Sequence, residues 1–235
     1  MRRSRRLWCP ASISCRKSAS CGCPMSVHRY RPQVIVDCGR VVVENVPTGV
    51  EDFQMELEEA RKLMEKSLGN RNLRRHCLAV SAVMGALARR LGGDEQTWRL
   101  AGMLHDLDYE QTKNEPRRHG LLTADELRKR GVNAAVVDAV LAHNHHKEAE
   151  TAMEKAIVCA DAVTGLVVAA ALIRPEKKLS ALTPEFVAKK MREPSFARGA
   201  DRDKIAYHDR LDLSKEEFLQ ISVDAMKAIS DDLGL

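Results

Sequence analysis

Aromatic side chains are scarce in this chain, at 4% of 235 residues. That scarcity argues against a β-sandwich core and against a stacking platform for nucleic acid. Glycine and proline, 13 and 8 residues, are too few for a collagenous or low-complexity chain. Uninterrupted apolar runs fall short of the roughly 20 residues that cross a bilayer, so no membrane span is expected. No CxxC pair occurs, which removes the usual spacing of a structural zinc site.

The basic net charge of +5 is unevenly placed. Residues 1–50 carry nine Lys/Arg against two Asp/Glu, and the remainder carries 29 against 31. A nucleic-acid reading built on the overall charge would therefore rest on the wrong segment, and none is expected from the body. Five of the seven cysteines also lie within the first 38 residues. Cys77 and Cys159 sit inside apolar helical patterns and read as small buried hydrophobes in a reducing, cytoplasmic setting.

Two regions are expected. Residues 1–50 read as a basic, Cys/Arg-rich extension, poorly ordered or preceding the true start at Met25 or Met55. No apolar core follows the basic start, so it lacks the plan of a secretory signal. Within it, residues 33–45 could pair as a short hairpin turning at Cys38-Gly39. Residues 51–235 read as one all-α domain, because the apolar period is helical almost throughout. Expected helices cover 51–68, 72–91, 94–106, 118–130, 133–144, 150–173 and 214–233, with a further start at Thr183-Pro184. The boundaries follow cap signals at Asp94, Asn133, Thr183 and Ser214 and stops at Gly92, Gly131 and Pro175. The 150–173 segment, nearly all apolar in its second half, should be the central buried helix.

Five of the eight histidines fall between residues 105 and 146. A single histidine on an apolar face is ordinarily a satisfied core or surface residue; such a density needs another reason. His76 opens an apolar stripe through Val80, Val83 and Leu87. His105-Asp106 follows Leu-Ala-Gly-Met-Leu at a helix end, where adjacent residues can reach one ion. Asp161 lies midway along the most apolar helix, where an ionised carboxylate must be paired or metal-bound. Two His and two Asp make a mixed nitrogen and oxygen set suited to Mn, Fe, Co, Ni or Zn.

His76, then His105-Asp106, then Asp161 is an ordered H…HD…D pattern, and the chain resembles the HD superfamily of metal-dependent phosphohydrolases over about residues 55–235. Ala-His-Asn at 142–144, the apolar segment 161–175 and Ser-Phe-Ala-Arg-Gly-Ala at 195–200 resemble the group of predicted HD hydrolases. The resemblance implies a helical HD-domain bundle and a hydrolase acting on a nucleotide or other small phosphate ester, with Asp106 and His105 at the catalytic centre. It implies one or two divalent ions: Asp106 bridging, His76, His105 and Asp161 on the first, His119 and His143 on the second. His145 and His146 are weaker candidates, and His28 and His208 keep the ordinary reading. Lys178, Arg198 and Arg118 are the candidate phosphate contacts; Arg75, Arg117, Arg174, Lys177 and Arg202 were weighed beside them. A di-iron oxygenase and a non-catalytic signalling module are the competing functions.

Overall fold

The computed structural model describes residues 30–37, 40–47 and 55–235, the first two by their backbone only. The chain divides into two units, Met1–Glu51 and Asp52–Leu235. In the first, β1 (Tyr30–Asp37) pairs antiparallel with β2 (Arg40–Pro47), with Asp37 opposite Arg40 and Val34 opposite Val43. The pairing runs further than the expected 33–45, and the turn expected at Cys38-Gly39 lies outside the described residues. The rest of the expected extension, including His28, lies outside the described residues.

The second unit is all-α. Its helices are α1 (Leu57–Ser67), α2 (Arg71–Leu91), α3 (Glu95–Leu104), α4 (Tyr109–Thr112), α5 (Leu121–Lys129) and α6 (Ala134–His143). They continue with α7 (Ala152–Leu172), α8 (Pro184–Met191), α9 (Arg202–Ile205), α10 (Lys215–Lys227) and α11 (Ser230–Leu233). The starts follow from local chemistry. The side chains of Asn70, Asp94, Asn133 and Thr151 accept orphan backbone N–H groups at the openings of α2, α3, α6 and α7.

Three boundaries differ from expectation. α1 opens at Leu57, behind an extended Glu56, instead of at residue 51. The segment 118–130 is not one helix: a 3-10 turn, Pro116–Arg118, is followed by Gly120 at φ +85°, and α5 begins only at Leu121. The positive φ reverses the chain and leaves His119 on a connection instead of a helix. The final helix stops at Lys227 and resumes as α11. Ser214 caps α10, but the Glu217 carboxylate that would complete the capping box instead pairs with Arg90 at 2.6 Å.

α7 runs through the centre, packed on α2, α6, α8, α9 and α10. With 21 residues and a mean hydropathy of 1.9 it is long and apolar enough to cross a membrane, contrary to the expectation that no segment is. Of its most apolar 18-residue stretch, 61% is buried inside the domain. Phe218, Met64, Leu87, Ile157 and Leu166 are among the core side chains. α2 and α3 come unusually close. A Cβ on Gly102 would stand 2.7 Å from the backbone nitrogen of Ser81, and the Ser81 hydroxyl donates to the Arg99 carbonyl at 2.9 Å. Only glycine permits this approach, and it brings His76 and His105 within reach of one another.

Candidate metal centre

Four histidines and two aspartates from separate segments converge. α2 supplies His76, the end of α3 supplies His105 and Asp106, and the turn before Gly120 supplies His119. The last residue of α6 is His143, and the third turn of α7 carries Asp161. His105, Asp106 and His143 are buried, with His105 at 0% exposure. The donor atoms fall into two groups, His76–His105–Asp161 and Asp106–His119–His143. His76 Nε2 lies 3.0 Å from Asp161 Oδ1 and 3.6 Å from Asp106 Oδ2. The other Asp106 oxygen, Oδ1, lies 3.1 Å from His119 Nε2, 3.3 Å from His105 Nε2 and 3.7 Å from His143 Nε2. Asp106 thus touches both groups: Oδ2 reaches His76 of the first, and Oδ1 reaches His105 of the first and both histidines of the second.

Each ring is fixed by its other nitrogen. His105 Nδ1 lies 2.9 Å from the Gly102 carbonyl, and His143 Nδ1 donates to the Val140 carbonyl. His119 Nδ1 lies 2.8 Å from Asp108 Oδ1. His76 Nδ1 lies 3.2 Å from the Thr164 hydroxyl, whose own proton goes to the Asp161 carbonyl at 2.9 Å. Carbonyl and carboxylate oxygens only accept, so these contacts place the proton on Nδ1 and leave Nε2 as a lone pair facing inward. His76 and His105 then face each other Nε2 to Nε2 at 3.3 Å, and His119 and His143 at 3.1 Å. Inward lone pairs beside two carboxylates need a positive charge between them. The residues present therefore fit a divalent cation with nitrogen and oxygen ligands.

The electrostatics show the same need for positive charge: with no cation between the groups, a proton on His105 and His119 takes its place, and an ion would have to displace it. Burial opposes ionisation of Asp106, but the neighbouring His105, His119 and His76 hold its carboxyl well below the ordinary range. Asp161 is depressed likewise: burial is outweighed by hydrogen bonds from His105 and His76. His119 is raised to about 9, because contacts with Asp106 and Asp108 overcome burial. His143 is lowered to about 4 by burial and by the His105 ring.

The sequence did not single out Asp108 or Thr164. Asp108 is buried and accepts from the backbone N–H groups of Gly120 and Thr123, at 2.9 and 3.0 Å, besides His119. Asn144 and His146 hold the same connection from α6: the Asn144 amide donates to the carbonyls of Pro116 and His119, and His146 Nε2 lies 2.7 Å from the His119 carbonyl. His146 therefore supports the loop instead of joining the inner group. His145, at φ +59°, is outside it too. His208 is buried elsewhere, stacked on Phe218, with Nδ1 2.9 Å from the Leu213 carbonyl.

A cavity of about 570 Å³ opens over His76 and Asp161, and its cationic lining residue is Lys204. Lys204 Nζ donates to the His143 carbonyl at 3.0 Å. The expected phosphate contacts lie elsewhere. Arg118 is exposed and paired with Glu115 at 3.1 Å. Lys178 is exposed on the segment after α7, and Arg198 lines a neighbouring cavity with Arg202. Lys204 was not among the cations weighed, because nothing in its local sequence separates it from a solvated surface lysine.

The profile of the HD domain matches residues 73–192, a span that contains all six converging residues. This chain belongs to the HD domain family. Among curated proteins, the chain is similar to the protein named Ribonuclease Y of Campylobacter jejuni, 35% identical over 99 residues, or 42% of this chain and 19% of the relative. Ribonuclease Y of Nitratidesulfovibrio vulgaris is 31% identical over 96 residues, 41% and 18% of the two chains. Ribonuclease Y of Helicobacter acinonychis is 30% identical over 134 residues, 57% and 25%. The chain spans about a fifth to a quarter of the length of these relatives. No solved structure matches it.

Proposed function

We propose that this HD domain is a metal-dependent phosphohydrolase acting on a nucleotide or other small phosphate ester. The observation that carries the reading is the set of four inward Nε2 lone pairs around the two oxygens of Asp106. His76, His105 and Asp161 would hold one divalent ion, His119 and His143 a second, with Asp106 shared. A divalent ion held there would supply Lewis-acid chemistry, polarising a phosphoryl oxygen and lowering the pKa of a water toward about 7. The Asp106 carboxylate, buried, ionised and aimed into the cluster from two sides, would be the acceptor that orients the attacking water. Lys204, on the wall of the cavity over His76 and Asp161, offers the phosphate a positive partner. Asp108, Thr164 and the carbonyls of Gly102 and Val140 keep the four rings in the ligating tautomer. A cytoplasmic setting goes with this reading, in keeping with the buried free thiols of Cys77 and Cys159.

The relatives named Ribonuclease Y favour a second reading, in which the ester is an internucleotide phosphodiester. The near-balanced charge of residues 51–235 gives the domain no net attraction for a polyanion, which favours the small ester. The test is metal analysis of the purified protein, followed by assay against nucleotides, sugar phosphates and a short RNA with Mn, Fe, Co, Ni or Zn supplied in turn. Metal-dependent phosphate release that Asp106→Ala abolishes, with helical content preserved, supports the reading. Full activity in that variant would overturn it, and turnover that requires oxygen would transfer the site to oxygenase chemistry.

A further inference from the structure

Arg202 opens α9, two residues before Lys204. Its side chain reaches back over the segment that joins α8 to α9. One terminal nitrogen donates to the carbonyls of Ala197 and Ala200 at 2.6 and 2.5 Å, and the other to the carbonyl of Phe196 at 2.5 Å. One planar cation thus gathers three carbonyls of a single loop. That task suits the rigid fork of a guanidinium and not the single ammonium of lysine.

The loop needs such a hold. Ala197 sits at φ +44°, in the left-handed region that residues with a Cβ rarely adopt. A conformation of this kind lasts only where its surroundings over-determine it. The loop's own turns are short: the Phe196 N–H donates to the Glu193 carbonyl at 3.0 Å, and the Ala200 N–H to the Ala197 carbonyl at 2.9 Å. Phe196 is held again through its ring, which lies 5.5 Å from the Lys190 ammonium.

What the loop serves follows from its place. Ala197, Gly199 and Ala200 belong to the wall of the cavity over His76 and Asp161, and Lys204 follows them in the same wall. Two of the three carbonyls that Arg202 takes are those of wall residues, Ala197 and Ala200. Its hydrogen-bond partners lie outside the six converging residues.

We propose that Arg202 is a positioning residue: it fixes the 196–200 loop as a cavity wall and sets Lys204 where a bound phosphate meets it. The inference rests on the phosphohydrolase reading and adds to it a cation whose work is internal, where charge alone would suggest a phosphate contact. Without this clamp Ala197 relaxes from its positive φ, the wall loses its shape, and the start of α9 is released together with Lys204. The metal ligands stay in place, because they lie on other segments.

The test uses the manganese-loaded protein, with hydrogen exchange over residues 194–201 and calorimetry with inorganic phosphate. Arg202→Gln should speed exchange of the Phe196 and Ala200 amides about tenfold, since their turns then open locally. Phosphate affinity should fall about tenfold, with manganese content and helical content as in the wild type. Arg202→Lys keeps the charge and should nonetheless behave like Arg202→Gln in both readouts. Where an ester is turned over, the loss should fall on KM with kcat held. Unchanged exchange or phosphate affinity in the variants, wild-type behaviour of Arg202→Lys, a loss confined to kcat, or a wild type that binds no phosphate would each overturn the proposal. A wild type that binds phosphate but hydrolyses no ester with any metal removes the phosphohydrolase reading alone, and exchange and phosphate affinity still decide whether Arg202 is the clamp.

Discussion

Asp108 holds His119 from behind: its Oδ1 lies 2.8 Å from Nδ1, on the side of the ring opposite the nitrogen that meets Asp106 at 3.1 Å. The same carboxylate gathers the N–H groups of Gly120 and Thr123, so ring orientation and loop conformation share one anchor. Asp108→Asn replaces one acceptor oxygen with a donor. It should weaken metal affinity about 10–100-fold with circular dichroism unchanged. Unaltered affinity in equilibrium titration would show that the anchor is dispensable.

His143→Ala separates one ion from two. With both ions bound, elemental analysis of the wild type should give two per chain and the variant should move toward one. Turnover should fall as well, because the second positive centre on the reacting oxygens is gone. One ion in both proteins at saturating metal would remove the dinuclear reading.

Lys204 touches the site through a backbone carbonyl and a cavity wall. Lys204→Ala should leave metal content intact and raise KM for a phosphate ester about tenfold or more, the scale of one charge-assisted contact of about 1.5–3 kcal/mol. Lys204→Arg should recover much of the loss. Unchanged kcat and KM in Lys204→Ala would place Lys204 away from the bound substrate.

Gly102→Ala should destabilise the domain by about 1–3 kcal/mol, since a methyl group would press on the Ser81 backbone with no flexible side chain to yield. The shift should reach His105, whose Nδ1 rests on the Gly102 carbonyl. Thermal melts with metal titration test both effects, and an unchanged Tm would contradict the close packing.

Glu154 is buried at the opening of α7, where it pairs with Lys147 and accepts from the Glu150 and Thr151 backbones at 2.8 and 3.0 Å. Burial works against its charge, but these partners outweigh it and hold the carboxyl below its ordinary value. Its stabilisation is complete above that ordinary value, near 4.5, and is lost as pH falls through the lower folded value. Glu154→Gln should cost about 1–2 kcal/mol at neutral pH and flatten the acid limb of a stability–pH curve. Parallel curves for the two proteins would contradict this.

The helical plan was legible because caps and apolar stripes are local signals, and Asn133, Thr183 and the central helix lie where those signals put them. His76, His105, Asp106 and Asp161 stood out as polar groups on apolar faces, and the structure brings them together. His119 and His143 came by resemblance, and the positive φ of Gly120 that places His119 off the helix was hidden in an otherwise helical pattern. Asp108 and Thr164 had no local signature. Thr164 meets His76 across 88 residues, a pairing that only the packing of α2 on α7 creates. The cation in the cavity wall has no local signature for a related reason: many basic side chains are interchangeable in sequence, and only the fold turns Lys204 toward the cavity.

The six converging residues and their ring supports all lie within residues 73–192, whereas Lys204 and the cavity wall at Ala197, Gly199 and Ala200 come from the chain beyond. Part of the cavity wall is thereby encoded apart from the six converging residues. Substitutions over residues 193–206 other than at Lys204, which contacts the His143 carbonyl, change that wall without touching any of the six. A library confined to that stretch is accordingly the economical place to seek altered selectivity in this scaffold.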